Sequence, residues 1–321
     1  MRYVGTVVGR LNFERFSGFY VLVALCVFFS VVEPDSFATF RNVRIILASQ
    51  AITAVITLGL VVPVAAGAFD LSIAGTMTMS IVLVSWLQSY HHVNPLLAVI
   101  CALLAGVIVG AVNGFVVVRL QVDSFIGTLG MSSVLGALAY WLVSGQPIVS
   151  GISASLTNAG RAQWLGMPAP VFYVVALAIV LWYVLELAPV GRVIRAVGGN
   201  PTAARLTGVN VDRYMFLSFV TSGTLAALAG VLYVSILGTA DPNSGLPYLL
   251  PAFAAVFLGS TQLRPGRVNV WGTLLAIYLI AVLVKGIELR SPDNPWISDL
   301  CQGVLLIVAV AIAARGRRRE R

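Results

Sequence analysis

Apolar segments of about 17 to 25 residues, the length a helix needs to cross a hydrocarbon core, recur from residue 17 to residue 314 with only short polar breaks. Of the 321 residues, 59% are hydrophobic and 10% charged, a balance that takes the bilayer as solvent. The segments are too long and too uniformly apolar for the alternating pattern of a lipid-facing barrel strand. The expected fold is therefore all-α, a polytopic transmembrane helix bundle of about ten spans. They fall near 17–33, 44–66, 71–89, 95–118, 125–143, 169–187, 214–235, 249–260, 268–287 and 296–314. No room remains between them for a second soluble domain, so a single transmembrane domain over 1–321 is expected.

The chain carries 20 basic residues against 12 acidic ones. They sit between and beyond the spans, as topology determinants do and as a nucleic-acid surface would not. Placing the N-terminus in the cytoplasm puts the N-terminal arm, Arg119, the 188–213 loop, the 261–267 turn and the C-terminal tail on one side. That side holds most of the basic residues, so both termini are expected in the cytoplasm. Arg2, Arg10 and Arg15 precede an apolar run with no small-x-small site after it, which favours an uncleaved first span. The basic tail Arg315–Arg321 would pin the last span at the anionic inner leaflet.

Two spans are irregular. The run Leu58–Ser72 contains Pro63, Gly67 and Asp70, and 249–260 is short of a full crossing. Exposed backbone at membrane depth persists only inside protein or along a wet cavity, so these are the places to look for a pathway. Pro and Gly also break the sequence at Pro242, Gly245 and Pro247, which hints at an internal repeat of the transporter kind. Gly106, Gly110 and Gly114 recur every fourth residue and so share one ridge of a helix, allowing a second backbone to approach closely. Cys26, Cys101 and Cys301 lie in apolar segments without metal or redox spacing and read as small packing residues.

The 191–211 interruption is the polar segment with most local structure. Asn200 can cap a helix, Pro201 suits the first helical position and Gly208 offers a left-handed stop. The helix would cover Thr202–Thr207, and so short a helix needs docking to persist. Gly198 and Gly199 are followed by no G-K-[ST], and no strand precedes them, so they are not a phosphate loop. No cofactor is expected in this chain.

Among the polar candidates, Asp70 is the most expensive to place in a bilayer, at about 2.5–3.5 kcal/mol on insertion scales. It reads either as a pathway residue with its neighbours Phe69 and Ser72, or as a cap on the third span. Asn113 and Gln146, at span ends, could bond a substrate hydroxyl or a neighbouring helix. His91 and His92 have too few companions for a metal site and read as solvated loop residues. Asp241-Pro-Asn-Ser-Gly245 reads as an outward turn, which Arg161 and the Ser150–Asn158 stretch could join in a docking surface.

The stretch Ala196-Val-Gly-Gly-Asn-Pro-Thr-Ala-Ala-Arg-Leu-Thr-Gly-Val-Asn-Val211 resembles the cytoplasmic loop of the ribose/xylose/arabinose-type permeases, the membrane subunits of monosaccharide ABC importers. Ala66–Gly75, Asn113-Gly114, Ser124–Gly130 and Ser144–Ile148 resemble that family too, as do Ser222-Gly223 through Gly230 and Leu258–Thr261 through Gly272-Thr273. The turn Gln262–Arg267 departs from it, with Arg264, Pro265 and Arg267 where glycines are expected. The resemblance implies a multi-pass protein of the bacterial inner membrane and a homodimer of two permease subunits. It implies two cytoplasmic ABC ATPases that hold the ATP and Mg, and a secreted substrate-binding protein. The family's coupling helix maps onto Asn200, Pro201, Thr202, Ala203, Ala204, Arg205, Leu206, Thr207 and Gly208 within the 188–213 coupling loop. Arg192, Arg195 and Arg205 could meet acidic groups of the ATPase or anchor the loop. Nucleoside and branched-chain amino-acid permeases are the nearest alternatives. An ion-coupled transporter would need paired intramembrane acids, and a membrane enzyme a catalytic constellation that the sequence does not display.

Overall fold

The computed structural model describes residues 2–291 and, beyond them, positions 296, 297, 300, 301, 303, 304 and 307, with side chains described from residue 16 onward. The arms Arg2, Arg10 and Arg15, most of the 296–314 segment and the basic tail thus lie outside the described residues or side chains. The helices in chain order are α1 (Arg2–Val32), α2 (Phe40–Ala65), α3 (Ile73–Ser89), α4 (Pro95–Val118), α5 (Ser124–Leu142) and α6 (Ala154–Arg161). Then come α7 (Ala169–Trp182), α8 (Pro189–Gly199), α9 (Pro201–Leu206), α10 (Val211–Leu237), α11 (Leu249–Gly259) and α12 (Val270–Arg290).

Among the described residues, six helical stretches are long and apolar enough to cross a bilayer: Phe40–Ala65, Pro95–Val118, Ser124–Leu142, Ala169–Leu187, Val211–Leu237 and Val270–Arg290. Phe16–Val32, Ile73–Ser89 and Leu246–Gly259 are apolar but shorter. The break expected within Leu58–Ser72 falls at 66–72, between α2 and α3, and not at Pro63. α2 runs unbroken through Pro63 to Ala65, and Gly67 (φ +88°) then ends the turn in the left-handed region. Nor is the fold purely helical. Gln163–Trp164 and Met167–Pro168 pair as a two-strand hairpin, whose turn residues Leu165 and Gly166 both have positive φ, the signature of a type I′ turn.

Short polar side chains set where the apolar helices begin. Asn94 accepts from Leu96 N, Asp123 from Phe125 N and Ile126 N, Asn210 from Arg213 N, and Asn269 from Gly272 N. Each satisfies amides that a helix start leaves without a partner.

The chain divides into two compact units. The first comprises residues 1–50 and 250–321. In it, α1 packs on α12 around Phe29, Phe37, Ile46, Ala281 and Val282, and Gly286 leaves the space that the Phe29 ring occupies. Glu33 pairs with Arg290 at 3.1 Å. Asn269 Nδ2 donates to Gln262 O and Arg267 O at 3.0 and 3.1 Å, closing the divergent turn, while Gln262 Oε1 accepts from Gly18 N at 2.6 Å.

The second unit, 51–249, is built around α10. The glycine ridge of α4 lies against it: a Cβ on Gly106 would stand 2.5 Å from Ala227 Cβ, one on Gly110 2.6 Å from Val220 Cα, and one on Gly114 2.7 Å from the Phe216 ring. Gly223 returns the contact toward Gly110, and Gly230 does the same for α3 at Met77 O, 2.6 Å. Ser80 Oγ donates to Ala227 O at 2.7 Å across the α3–α10 seam. Such backbone approach supplies the van der Waals contact that replaces hydrophobic drive when the outer solvent is itself apolar. The outer faces fit that solvent, with Leu104, Ile108, Ile126 and Leu129 exposed. Cys101 is exposed on the outside of α4, so it does not pack within the chain as expected of it.

Candidate functional site

Two clusters of polar structure lie at the same end of the second unit. One is the 188–213 segment. α8 was not anticipated as a helix, although Pro189 at its first position and Val190, Val193, Ile194 and Val197 at i, i+3, i+4 and i+7 carry the signal. Its Ile194 and Val197 are buried, and Arg195 pairs with the buried Glu186 of the π-helical turn Tyr183–Leu187. Arg195 therefore anchors the loop internally.

α9 begins one residue before the expected Thr202 and ends one residue earlier. Asn200 Oδ1 accepts from Ala203 N at 2.9 Å, Pro201 takes the first position, and Gly208 has φ +84°. Ala204 alone of this helix is buried, against Val197 and Val211. Pro201, Thr202, Ala203, Arg205, Leu206, Thr207 and Gly208 all face outward. Arg205 pairs with Asp212 at 2.6 Å with both side chains about half exposed, leaving Arg192 as an exposed cation of this segment. Leu206 is 85% exposed, an apolar group turned away from every surface of its own unit.

The second cluster is a polar bracket around the α2–α3 connection. Ser72 Oγ donates to Asp70 Oδ1 at 2.6 Å and accepts from Asn113 Nδ2 of α4 at 2.7 Å. Asp70 Oδ1 also accepts from Ser72 N at 3.0 Å. From α5, Ser124 Oγ accepts from Phe69 N at 3.2 Å and Thr128 Oγ1 from Leu71 N at 2.9 Å. Asp70, Ser72, Asn113 and Thr128 are all buried. The non-helical backbone 66–72 thereby finds its partners inside protein, the condition for irregular backbone without water.

Four of the five residues expected on the pathway, Phe69, Asp70, Ser72 and Asn113, thus come together, whereas Gln146 lies exposed in the loop after α5. The cap reading of Asp70 is corrected in detail. Ser72 occupies the N-cap position of α3 and makes no side-chain bond to its first turn. Asp70 instead fastens the turn before the helix, where a carboxylate still faces the positive end of the helix dipole. Ser124 and Thr128 were missed as members of the bracket. Their i, i+4 spacing puts both hydroxyls on one face of α5 and was the available signal.

At the opposite end, Arg161 is not a free docking group: its Nε and Nη2 donate to Ile236 O and Leu237 O at 2.8 and 2.7 Å, closing the C-terminus of α10. Asp241 Oδ1 accepts from Asn243 N at 2.7 Å in the expected turn. His91 and His92 are exposed, with His91 packed on the Trp86 ring. Among the described residues no group of three or more His, Cys, Asp or Glu is placed to hold a metal ion.

A chain with several helices long and apolar enough to span a bilayer, packed glycine to glycine, is a multi-pass membrane protein. Residues 42–310 match the family described as branched-chain amino acid transport system / permease component, and the chain belongs to that family. It is 31% identical over 307 residues to the ribose import permease protein RbsC of Haemophilus influenzae, covering 94% of each chain. It is 32% identical to the RbsC protein of Bacillus subtilis over 92% of this chain and 91% of that one. To the fructose import permease protein FrcC of Rhizobium meliloti it is 32% identical over 91% and 83%. No solved structure matches.

Proposed function

We propose that this chain is the transmembrane permease subunit of a bacterial ABC importer for a monosaccharide. The observation that carries the reading is likeness along more than nine-tenths of the chain to permeases named for ribose, fructose, allose and arabinose. Two copies pair in the inner membrane, each joined to a cytoplasmic ATPase that binds ATP and Mg, and a secreted binding protein delivers the sugar. The six long helices, the three shorter apolar ones and the 296–314 segment make ten spans, with both termini in the cytoplasm.

α9 is the contact with the ATPase. Ala204 seats it on the bundle, and the outward Leu206, with Pro201 and Thr202, meets a groove on the partner. ATP binding closes the ATPases, and a movement of α8 and α9 shifts the bundle between two states that open on opposite sides. The chain forms and breaks no covalent bond.

The rival substrate class is the one in the family's own description, branched-chain amino acids. The test is ATPase stimulation of the reconstituted complex by its binding protein loaded with each of a panel of pentoses, hexoses, nucleosides and branched-chain amino acids. Stimulation by a monosaccharide alone is expected. Stimulation by leucine, isoleucine or valine and by no sugar would overturn the assignment.

A further inference from the structure

The coupling loop and the polar bracket meet at one point, and that point is made of backbone. A Cβ added to Gly198, at the end of α8, would lie 2.9 Å from the Ala66 carbonyl carbon and closer still to the Ala65 carbonyl oxygen. From the other side, a Cβ on Gly67 would lie 3.2 Å from Gly198 Cα and 3.3 Å from Gly198 O. The end of α8 therefore rests directly on the end of α2, with no side chain between them.

We propose that Gly198 and the Ala65–Gly67 backbone form the mechanical joint of this permease, passing displacement of the coupling helix into the Asp70 bracket. The inference rests on the functional reading above, which makes α9 the driven element. A contact between two side chains can absorb a displacement by changing rotamers. Backbone on backbone has no such slack, and a close-packed interior transmits strain. On the driving side, Gly198 is two residues from Asn200, the cap of α9. On the driven side, Gly67 is two residues from Phe69, and the amides of Phe69 and Leu71 are held by Ser124 and Thr128 of α5. Asn113 ties the same segment to α4 through Ser72. One push at Ala65–Gly67 thus reaches the start of α3 and the facing ends of α4 and α5 together.

The structure supplies a matched control. Gly199 follows Gly198 at the same helix end, precedes the 200–208 segment, and has no heavy atom within 4 Å of its Cβ position. Gly198→Ala and Gly199→Ala each add one methyl, so any effect of helix stiffening is common to both. In the whole reconstituted complex, Gly198→Ala should co-purify with the ATPase and keep basal ATP hydrolysis. Stimulation by substrate-loaded binding protein and sugar uptake should fall at least about fivefold, the lower end of typical coupling between sites. Gly199→Ala should match wild type. Equal behaviour of the two variants, or loss of ATPase association in Gly198→Ala, would overturn the joint.

Hydrogen–deuterium exchange of segment 66–72 tests the same claim without depending on the fold of a variant. Trapping wild-type complex with ATP and vanadate should change exchange at Phe69 and Leu71, as it should in Gly199→Ala. Unchanged exchange there in actively coupled wild type would also overturn the joint. A wild-type chain that bound no ATPase would overturn the functional reading itself, and the joint with it.

Discussion

Asp70 shows how one acidic residue is tolerated in a chain of this composition. Its Oδ1 takes both the amide and the hydroxyl of Ser72, and Ser72 in turn receives Asn113, so the carboxylate organises a connection rather than standing alone. Asp70→Asn keeps an oxygen in that position, whereas Asp70→Ala leaves the Ser72 donors without an acceptor, at a cost of about 1–3 kcal/mol per buried group. Thermal unfolding in detergent should therefore be lowered by Asp70→Ala and much less by Asp70→Asn. Equal losses would mean that charge, not hydrogen bonding, is what the bracket needs. The sequence made Asp70, Ser72 and Asn113 legible as polar groups in apolar surroundings. It did not reveal that they bond one another, because 41 residues separate Ser72 from Asn113 and only the α3–α4 packing closes that distance.

Among the elements, the α4–α10 pair and α9 give the clearest expectations. A side chain at Gly110 would meet the backbone of Phe219 and Val220, which cannot step aside, whereas Gly130 of α5 has no heavy atom within 4 Å of its Cβ position. Gly110→Leu should sharply reduce the yield of monodisperse protein, overpacking of this kind costing about 1–3 kcal/mol or more, and Gly130→Ala should not. Size-exclusion profiles of the two variants check it. For α9, the two most exposed leucines among the described residues make a paired test: Leu206 at 85% and Leu165 at 95%, on the hairpin at the other end of the second unit. Leu206→Asp should abolish co-purification with the ATPase, and Leu165→Asp should leave it intact. A pull-down in which both variants retained the ATPase would remove α9 from the contact. Asn200, Pro201 and Gly208 announced this helix because capping is local chemistry. That Ala204 is its anchor and Leu206 its outward group follows from tertiary packing, which no local pattern encodes. α8 was hidden differently: its apolar stripe is intact, with Arg192 and Arg195 on the opposite face, but it is only about two turns long.

For the whole molecule, hydrophobic length was enough to read a helical membrane bundle, since in lipid the backbone must satisfy itself within each span. At Leu58–Ser72 the proline misled and the glycine did not. α2 runs through Pro63 to Ala65, and Gly67 ends that helix. The non-helical segment 66–72 lies against the end of α8, where Gly67 meets Gly198. The central claim is that movement of a separate ATPase, relayed through α9 and α8, drives solute through this chain. The most direct measurement is uptake of radiolabelled monosaccharide into proteoliposomes holding the permease and its ATPase, with the binding protein outside and ATP inside. The account predicts uptake that requires the ATPase, ATP and the binding protein together and is indifferent to ionophores. Uptake by the permease alone, driven by a proton or sodium gradient and abolished by ionophores, would contradict it.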